Sequence, residues 1–382
     1  MRSAARTLGA TAAIAGGLAL GFLAERRFLH PRLEAPPPEE GVPDLGTIAG
    51  DLVTIDGPDG LPVAVETYGA RGLPDDAPQL VLSHGWICTG RVWHEQVRGL
   101  ADRYHLVTYD QPGHGRTPAP ASGEYDLDLL GDTLHAVIEQ ATRPGPIVLV
   151  GHSLGGMAVL DAADRHRELL DDRVAGVVLL STTSRARPDR FTFEFGVHTV
   201  SQLERSILRA VPALRSSRLS NATERLYRSS SDLSTLLVRA MGVGPDTDPR
   251  IVEFIEQLRI DSDPDMVFGL AAAVLGVDVD AGLARLRADV SIVVGSHDRL
   301  TPRSLSERMA QVSGGEVIEL AGVGHMAPLE AGGEVNEILE RHLRRAASSA
   351  RTASPASRAS SAPSSSPASS ASSARAARRT AI

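Results

Sequence analysis

The chain has 382 residues, 42% of them hydrophobic, and a formal net charge of -8. That is enough apolar material for the core of one large domain, and the acidic balance, with no basic stripe, excludes nucleic acid as a partner. The single cysteine, Cys88, excludes an intrachain disulfide, and no Cys or His cluster has zinc-ligand spacing, so neither a metal nor a cofactor is expected.

In chain order, residues 1–30 come first. They hold an uncharged run from Leu8 to Ala24 with Arg2 and Arg6 before it and Arg26 and Arg27 after it. That length is at the lower limit for crossing a bilayer, and Gly17 with Gly21 suits close helix pairing in lipid. The run is expected to act as an uncleaved membrane anchor rather than a cleaved signal, since no convincing Ala-x-Ala cleavage site precedes Glu25; a cytoplasmic chain is the alternative. Arginines on the two sides are too evenly matched to fix an orientation. Residues 31–46, "PRLEAPPPEEGVPDLG", are Pro-rich and acidic and read as an extended linker. At the other end, residues 346–382 are rich in Ser, Ala, Pro and Arg and read as a disordered tail.

Between them, residues 47–345 carry eight apolar runs: Leu52 to Ile55, Val63 to Glu66, Gln79 to Ser83, Leu106 to Tyr109, Ile147 to Val150, Val174 to Leu180, Ile292 to Val294 and Val317 to Leu320. Helical stretches separate them after the first few. This alternation predicts an α/β fold with a mostly parallel eight-stranded sheet, helices on both faces, and a site built from loops at the strands' carboxyl ends. The conspicuous polar residues fall there: His84-Gly85-Trp86 after one strand, Asp110 to Thr117 after the next, then Ser153, Asp298 and His325.

In "PIVLVGHSLGGMAVL", residues 146–160, a β-branched strand runs straight into a helix, with Ser153 at the junction and glycines two positions to either side. Such a turn projects the hydroxyl from the top of a sheet. A serine hydroxyl becomes a good nucleophile only when an imidazole takes its proton and a carboxylate fixes that imidazole's tautomer. Ser153, His325 and Asp298 supply those roles. Asp110 is the rival acid, while His135, His166 and His342 read as exposed helix residues. Two backbone N–H groups, of Trp86 and of Leu154, are placed to hold an oxyanion, although Trp86 could instead be a pocket wall.

Taken together, "LSHGW", "TYDQPGHGRT", "VGHSLGG", "VVGSHDRLTP" and "AGVGHMAPLE" resemble the α/β-hydrolase superfamily, in the branch of lid-bearing serine esterases, lipases and cofactor-free peroxidases. The resemblance covers roughly residues 50 to 345. It implies Ser153 as nucleophile, Asp298 as acid after the seventh strand and His325 as base after the eighth, with Asp110 to Thr117 a structural turn. Serine at the elbow argues against dehalogenase chemistry, and a lid with Tyr227 as its one tyrosine argues against epoxide hydrolysis.

The long stretch between the sixth strand and Asp298 must carry helices of its own, and a helical lid is expected over about residues 183–287. Amphipathic segments lie near Val200 to Leu214, Leu233 to Met241, Arg250 to Leu258 and Pro264 to Leu275. Arg205, Arg209, Arg215, Arg218, Arg225 and Arg228 read as a solvated face of that lid. The expected function is hydrolysis of a small-molecule carboxylic ester through an acyl-enzyme. A perhydrolase or acyltransferase on the same fold and a catalytically silent ligand-binding protein are the alternatives.

Overall fold

Each apolar run becomes a strand in the computed structural model, which describes residues 44–186 and 238–353. β1 (Asp51–Asp56) and β2 (Pro62–Tyr68) form a hairpin, followed by β3 (Gln79–Ser83). Helix α1 (His94–Leu100) leads to β4 (His105–Tyr109), and α2 (Leu127–Ala141) to β5 (Ile147–His152). Then come α3 (Leu154–Arg165), α4 (Arg167–Arg173) and β6 (Val174–Leu180). After the insertion, whose described helices are α5 (Pro249–Asp261), α6 (Pro264–Leu275) and α7 (Asp280–Arg285), the chain forms β7 (Asp289–Gly295), α8 (Arg303–Ser313) and β8 (Glu316–Leu320). The short α9 (Ala327–Glu330) and the long α10 (Gly332–Ala353) complete it.

The sheet order is β1-β2-β4-β3-β5-β6-β7-β8, antiparallel from β1 through β2 to β4 and parallel from β4 onward. Because β3 to β8 run the same way, the loops that follow them open on one edge, which therefore collects the polar residues singled out above. Both faces of the central strands are covered. In β3, Val81 joins one apolar cluster while Leu80 and Leu82 join the other, and β5 divides in the same way between Leu149 and the pair Val148 and Val150. Continuous apolar runs are what strands buried on both faces require, and each fully buried Leu contributes roughly 1.5–3 kcal/mol.

Local chemistry marks the helix ends. Asp126 caps α2 by accepting from Leu129 N at 2.8 Å, and Asp248 caps α5 with Pro249 as its first residue. Gly314, at φ 72°, ends α8 in the left-handed conformation that glycine adopts without strain. In the insertion, α5 and α6 coincide with the two amphipathic stretches at 250–258 and 264–275. Of the stretch at 233–241 only a π-type turn from Val238 to Gly242 is described. The stretch at 200–214, Tyr227 and the arginines from Arg205 to Arg228 lie outside the described residues.

The insertion leaves and rejoins the sheet at one point. Ala186 N donates to Val277 O and Val279 N to Ser184 O, each at 2.8 Å, and Arg185 pairs with Asp278 across this short ladder. Arg308 on α8 bonds Asp280 Oδ1 and Ser184 Oγ at 2.9 and 3.1 Å, tying both ends of the insertion to the main body.

Two expectations need correction. His342 is 1% exposed: it lies on the apolar stripe Val335, Ile338, Leu339, Leu343 and Ala346 of α10, and its Nε2 bonds Ser291 Oγ at 2.8 Å. His135 and His166 are half-buried, their rings stacked 3.9 Å apart. The helix α10 also runs on to Ala353, past the expected boundary at 345/346. Ala346 is buried, and Ser348 Oγ donates to Arg344 O at 3.0 Å, so the Ala- and Ser-rich start of the tail continues the helix. Among the described residues no helix is long and apolar enough to cross a membrane; the Leu8 to Ala24 run and the linker up to residue 43 lie outside them.

Candidate active site

Ser153 stands between β5 and α3 at φ 51° and ψ -116°, a conformation costly for a residue with a side chain. Its backbone is fixed on every side. Ser153 N donates to Leu180 O at 2.9 Å, and its carbonyl accepts from Thr182 Oγ1 at 2.6 Å and Gly156 N at 2.9 Å. The flanking glycines make the turn possible: a Cβ on Gly155 would overlap the carbonyl of Ser83, and one on Gly151 would lie 2.5 Å from Gly156 Cα. Thr182 carries no sequence signal for this role, because it is supplied by the neighbouring strand.

Asp298 and His325 meet as the residue types require. His325 Nδ1 lies 3.0 Å from Asp298 Oδ2 and 3.1 Å from Oδ1. The carboxylate accepts, so Nδ1 carries the proton and Nε2 is the nitrogen left to act as a base. Asp298 also accepts from Leu300 N at 3.0 Å, Thr301 N at 2.8 Å and Thr301 Oγ1 at 2.8 Å. Burial opposes its ionisation, but the charge and hydrogen bond of His325 and the two donors of Thr301 outweigh it and hold the carboxyl below the usual aspartate value. Thr301 was missed by sequence reading, although an Asp three residues before a Thr at a helix start is a recognisable turn signal.

The His325 loop is pressed against the strand end that carries Ser153. His152 donates from Nε2 to the His325 carbonyl at 2.9 Å, and the two rings lie 5.1 Å apart. Burial, followed by the charge of His325, lowers the His152 pKa to about 3, so the ring acts as a neutral strut.

The loop after β3 comes equally close. A Cβ on Gly85 would lie 3.3 Å from Ser153 Cβ and 2.7 Å from His152 Nδ1, so only glycine fits. Two donors hold the Gly85 carbonyl: His84 Nδ1 at 2.8 Å and Cys88 N at 3.2 Å. Gln111 N donates to His84 Nε2 at 2.9 Å, which fixes the tautomer, and burial lowers the His84 pKa to about 4. A planar trans peptide with its oxygen pinned presents the N–H of Trp86 on its opposite side. Among the described residues, neither that N–H nor the N–H of Leu154, first residue of α3, has a hydrogen-bond acceptor. The indole of Trp86 packs against the cluster containing Leu154 and Met157, so the residue also forms a wall.

Asp110 is occupied elsewhere. Its Oδ1 accepts from Gly90 N at 2.8 Å and its Oδ2 from Arg116 N at 2.9 Å, bracing the turn through Thr117. Helix α6 packs over this turn: Met266, Val267 and Leu270 enter the cluster that Trp86 and Ile87 pack against, and a Cβ on Gly113 would lie 2.8 Å from Met266 Cγ. Among the described residues no group of His, Cys, Asp and Glu is arranged to hold a metal ion.

Comparison with known proteins fits this frame. Residues 78–332 match the model of the alpha/beta hydrolase fold. Over 261 residues, 66% of this chain and 87% of the other, the sequence is 30% identical to a pimeloyl-[acyl-carrier protein] methyl ester esterase of Methylococcus capsulatus. The esterase of the same name from Aeromonas hydrophila is 37% identical over 108 residues, a match that spans 38% of that protein. A thermophilic esterase from Thermogutta terrifontis superposes with a TM-score of 0.58 at 21% identity, covering 78% of this chain and 99% of the other. The chain belongs to the α/β-hydrolase fold family.

Proposed function

We propose that the protein is a serine hydrolase that cleaves an uncharged carboxylic ester with a short to medium acyl chain. The reading is supported by the strained Ser153 elbow, by the His325–Asp298 pair on a loop that His152 holds against the same strand end, and by two backbone N–H groups that have no acceptor among the described residues. In the first half-reaction His325 Nε2 takes the proton of Ser153 Oγ as that oxygen attacks the ester carbonyl carbon. The carbonyl electron pair moves onto oxygen, where the N–H groups of Trp86 and Leu154 receive it, the latter aided by the amino end of α3. Collapse breaks the bond to the alcohol, which leaves with the proton from His325. Water then attacks the acyl-enzyme by the same route, releasing the acid and restoring Ser153. Throughout, Asp298 holds Nδ1–H and stabilises the imidazolium.

Relatives named as ester hydrolases support the reaction class. The acyl preference rests on Trp86 and Ile87, half-buried against the same apolar cluster that takes Met266, Val267 and Leu270 of α6. Each methylene buried there contributes up to about 0.8 kcal/mol, so kcat/KM for nitrophenyl esters is expected to rise with acyl length until the pocket is full and then fall. A flat series from two to sixteen carbons, or a preference for anionic acyl groups, would reject this specificity.

We also propose that the Leu8 to Ala24 run tethers the enzyme to a membrane through the Pro-rich linker. Deleting residues 1–30 is expected to move the protein to the soluble fraction with kcat unchanged, because no site residue precedes His84. Full-length protein that stays soluble without detergent and ignores lipid vesicles would sink the tether.

A further inference from the structure

Glu330, the last residue of α9, is half-buried, and its carboxylate takes four donors. Two come from the residues on either side of His325: Gly324 N reaches Oε2 at 3.1 Å and Met326 N reaches Oε1 at 3.0 Å. The other two come from the segment by which the insertion returns to the site, Gly244 N and Thr247 Oγ1, both at 2.6 Å from Oε2. The same segment meets His325 directly, since His325 N donates to Gly242 O at 3.1 Å. Among the described residues no cation pairs with Glu330, so its charge is balanced by main-chain N–H groups and one hydroxyl. Charge-assisted bonds of this kind are among the stronger ones available to a protein.

We propose that Glu330 is a positioning residue for the base, which joins the backbone of the His325 loop to the insertion and sets where the imidazole stands relative to Ser153. The proposal rests on the reading of Ser153, Asp298 and His325 as the reacting groups. Asp298 orients the ring but bonds only the imidazole side chain, whereas Glu330 grips the peptide groups on both sides of that residue. Fixing the ring without fixing its Cα would leave Nε2 free to move by a fraction of an ångström, a displacement that costs rate steeply. His325 is then fully placed only while residues 242–247 are seated, so the insertion takes part in assembling the base.

The test is steady-state hydrolysis of nitrophenyl butyrate by full-length Glu330→Ala, Glu330→Gln and Thr247→Val, with folding checked by circular dichroism and fluorophosphonate labelling of Ser153 followed in each. Glu330→Ala is expected to lower kcat by about 30-fold and slow labelling in parallel, with KM within about twofold. Glu330→Gln keeps an acceptor for Gly244, Gly324 and Thr247 and should recover kcat to within about fivefold of wild type. Thr247→Val leaves the bonds to Gly324 and Met326 intact and should lower kcat by about threefold. A folded Glu330→Ala enzyme with kcat within twofold of wild type, or a loss confined to KM, overturns the proposal. Should that variant not fold, unchanged kcat in both Glu330→Gln and Thr247→Val overturns it equally. If wild-type Ser153 takes no label, the hydrolase reading itself falls and this proposal with it; a labelled wild type with unaffected variants removes the Glu330 role alone.

Discussion

Replacing Ser153 by alanine is expected to lower turnover of nitrophenyl esters by roughly 10⁴-fold or more and to abolish fluorophosphonate labelling, with the fold retained. The anchoring hydrogen bonds at this position all use its backbone: Leu180 O receives its N–H, while Thr182 and Gly156 donate to its carbonyl. Alanine keeps every one of them and loses only the hydroxyl oxygen. It meets the same strain at φ 51°, so a stability change of more than a few degrees in Tm is not expected. Residual kcat within tenfold of wild type, or an undiminished label, would show that another residue is the nucleophile.

Asp298→Asn is expected to lower kcat by about 10³- to 10⁴-fold, nearly as much, by a different route. Asp298 accepts from four groups: His325 Nδ1, Leu300 N, Thr301 N and Thr301 Oγ1. An asparagine offers one oxygen and one NH₂. If the oxygen serves the turn, the NH₂ faces His325 Nδ1 and forces the proton to Nε2, which destroys the base; if it serves His325, the NH₂ collides with the donors of the turn. Asp110→Asn is the control. Its carboxylate braces Gly90 and Arg116, so that substitution should lower Tm while leaving kcat of the folded protein within a few fold. The reverse pattern would make Asp110 the acid.

The strands were legible because the central ones are buried on both faces: a run such as Ile147 to Val150 needs no polar alternation, and every position must be apolar. Strand order was less so, since nothing local in β3 and β4 records that β4 lies between β2 and β3. The candidate reacting groups were visible as types in fixed local settings. Their supports divide by distance along the chain. Thr301 sits three residues from Asp298 and left a turn signal, whereas His152, Thr182 and Glu330 act on partners brought to them by the sheet and the insertion. His342 shows how residue type can mask spacing. It occupies an apolar position of α10 although arginines flank it in sequence, and its buried Nε2 finds its partner in Ser291 of a distant strand.

The short ladder between Ser184 to Ala186 and Val277 to Val279 makes the insertion a cassette whose two ends are already side by side. Lengthening a loop with fixed ends adds only about 0.6 kcal/mol of closure entropy per doubling, so what lies beyond the ladder can vary in size at little cost to the sheet. Exchange of that segment between members of the family would then leave Ser153 and Asp298 where β5 and β7 put them. The segment at Gly242 to Thr247 is the part such a graft must preserve, because among the described residues of the insertion it is the one that bonds the histidine's backbone and Glu330.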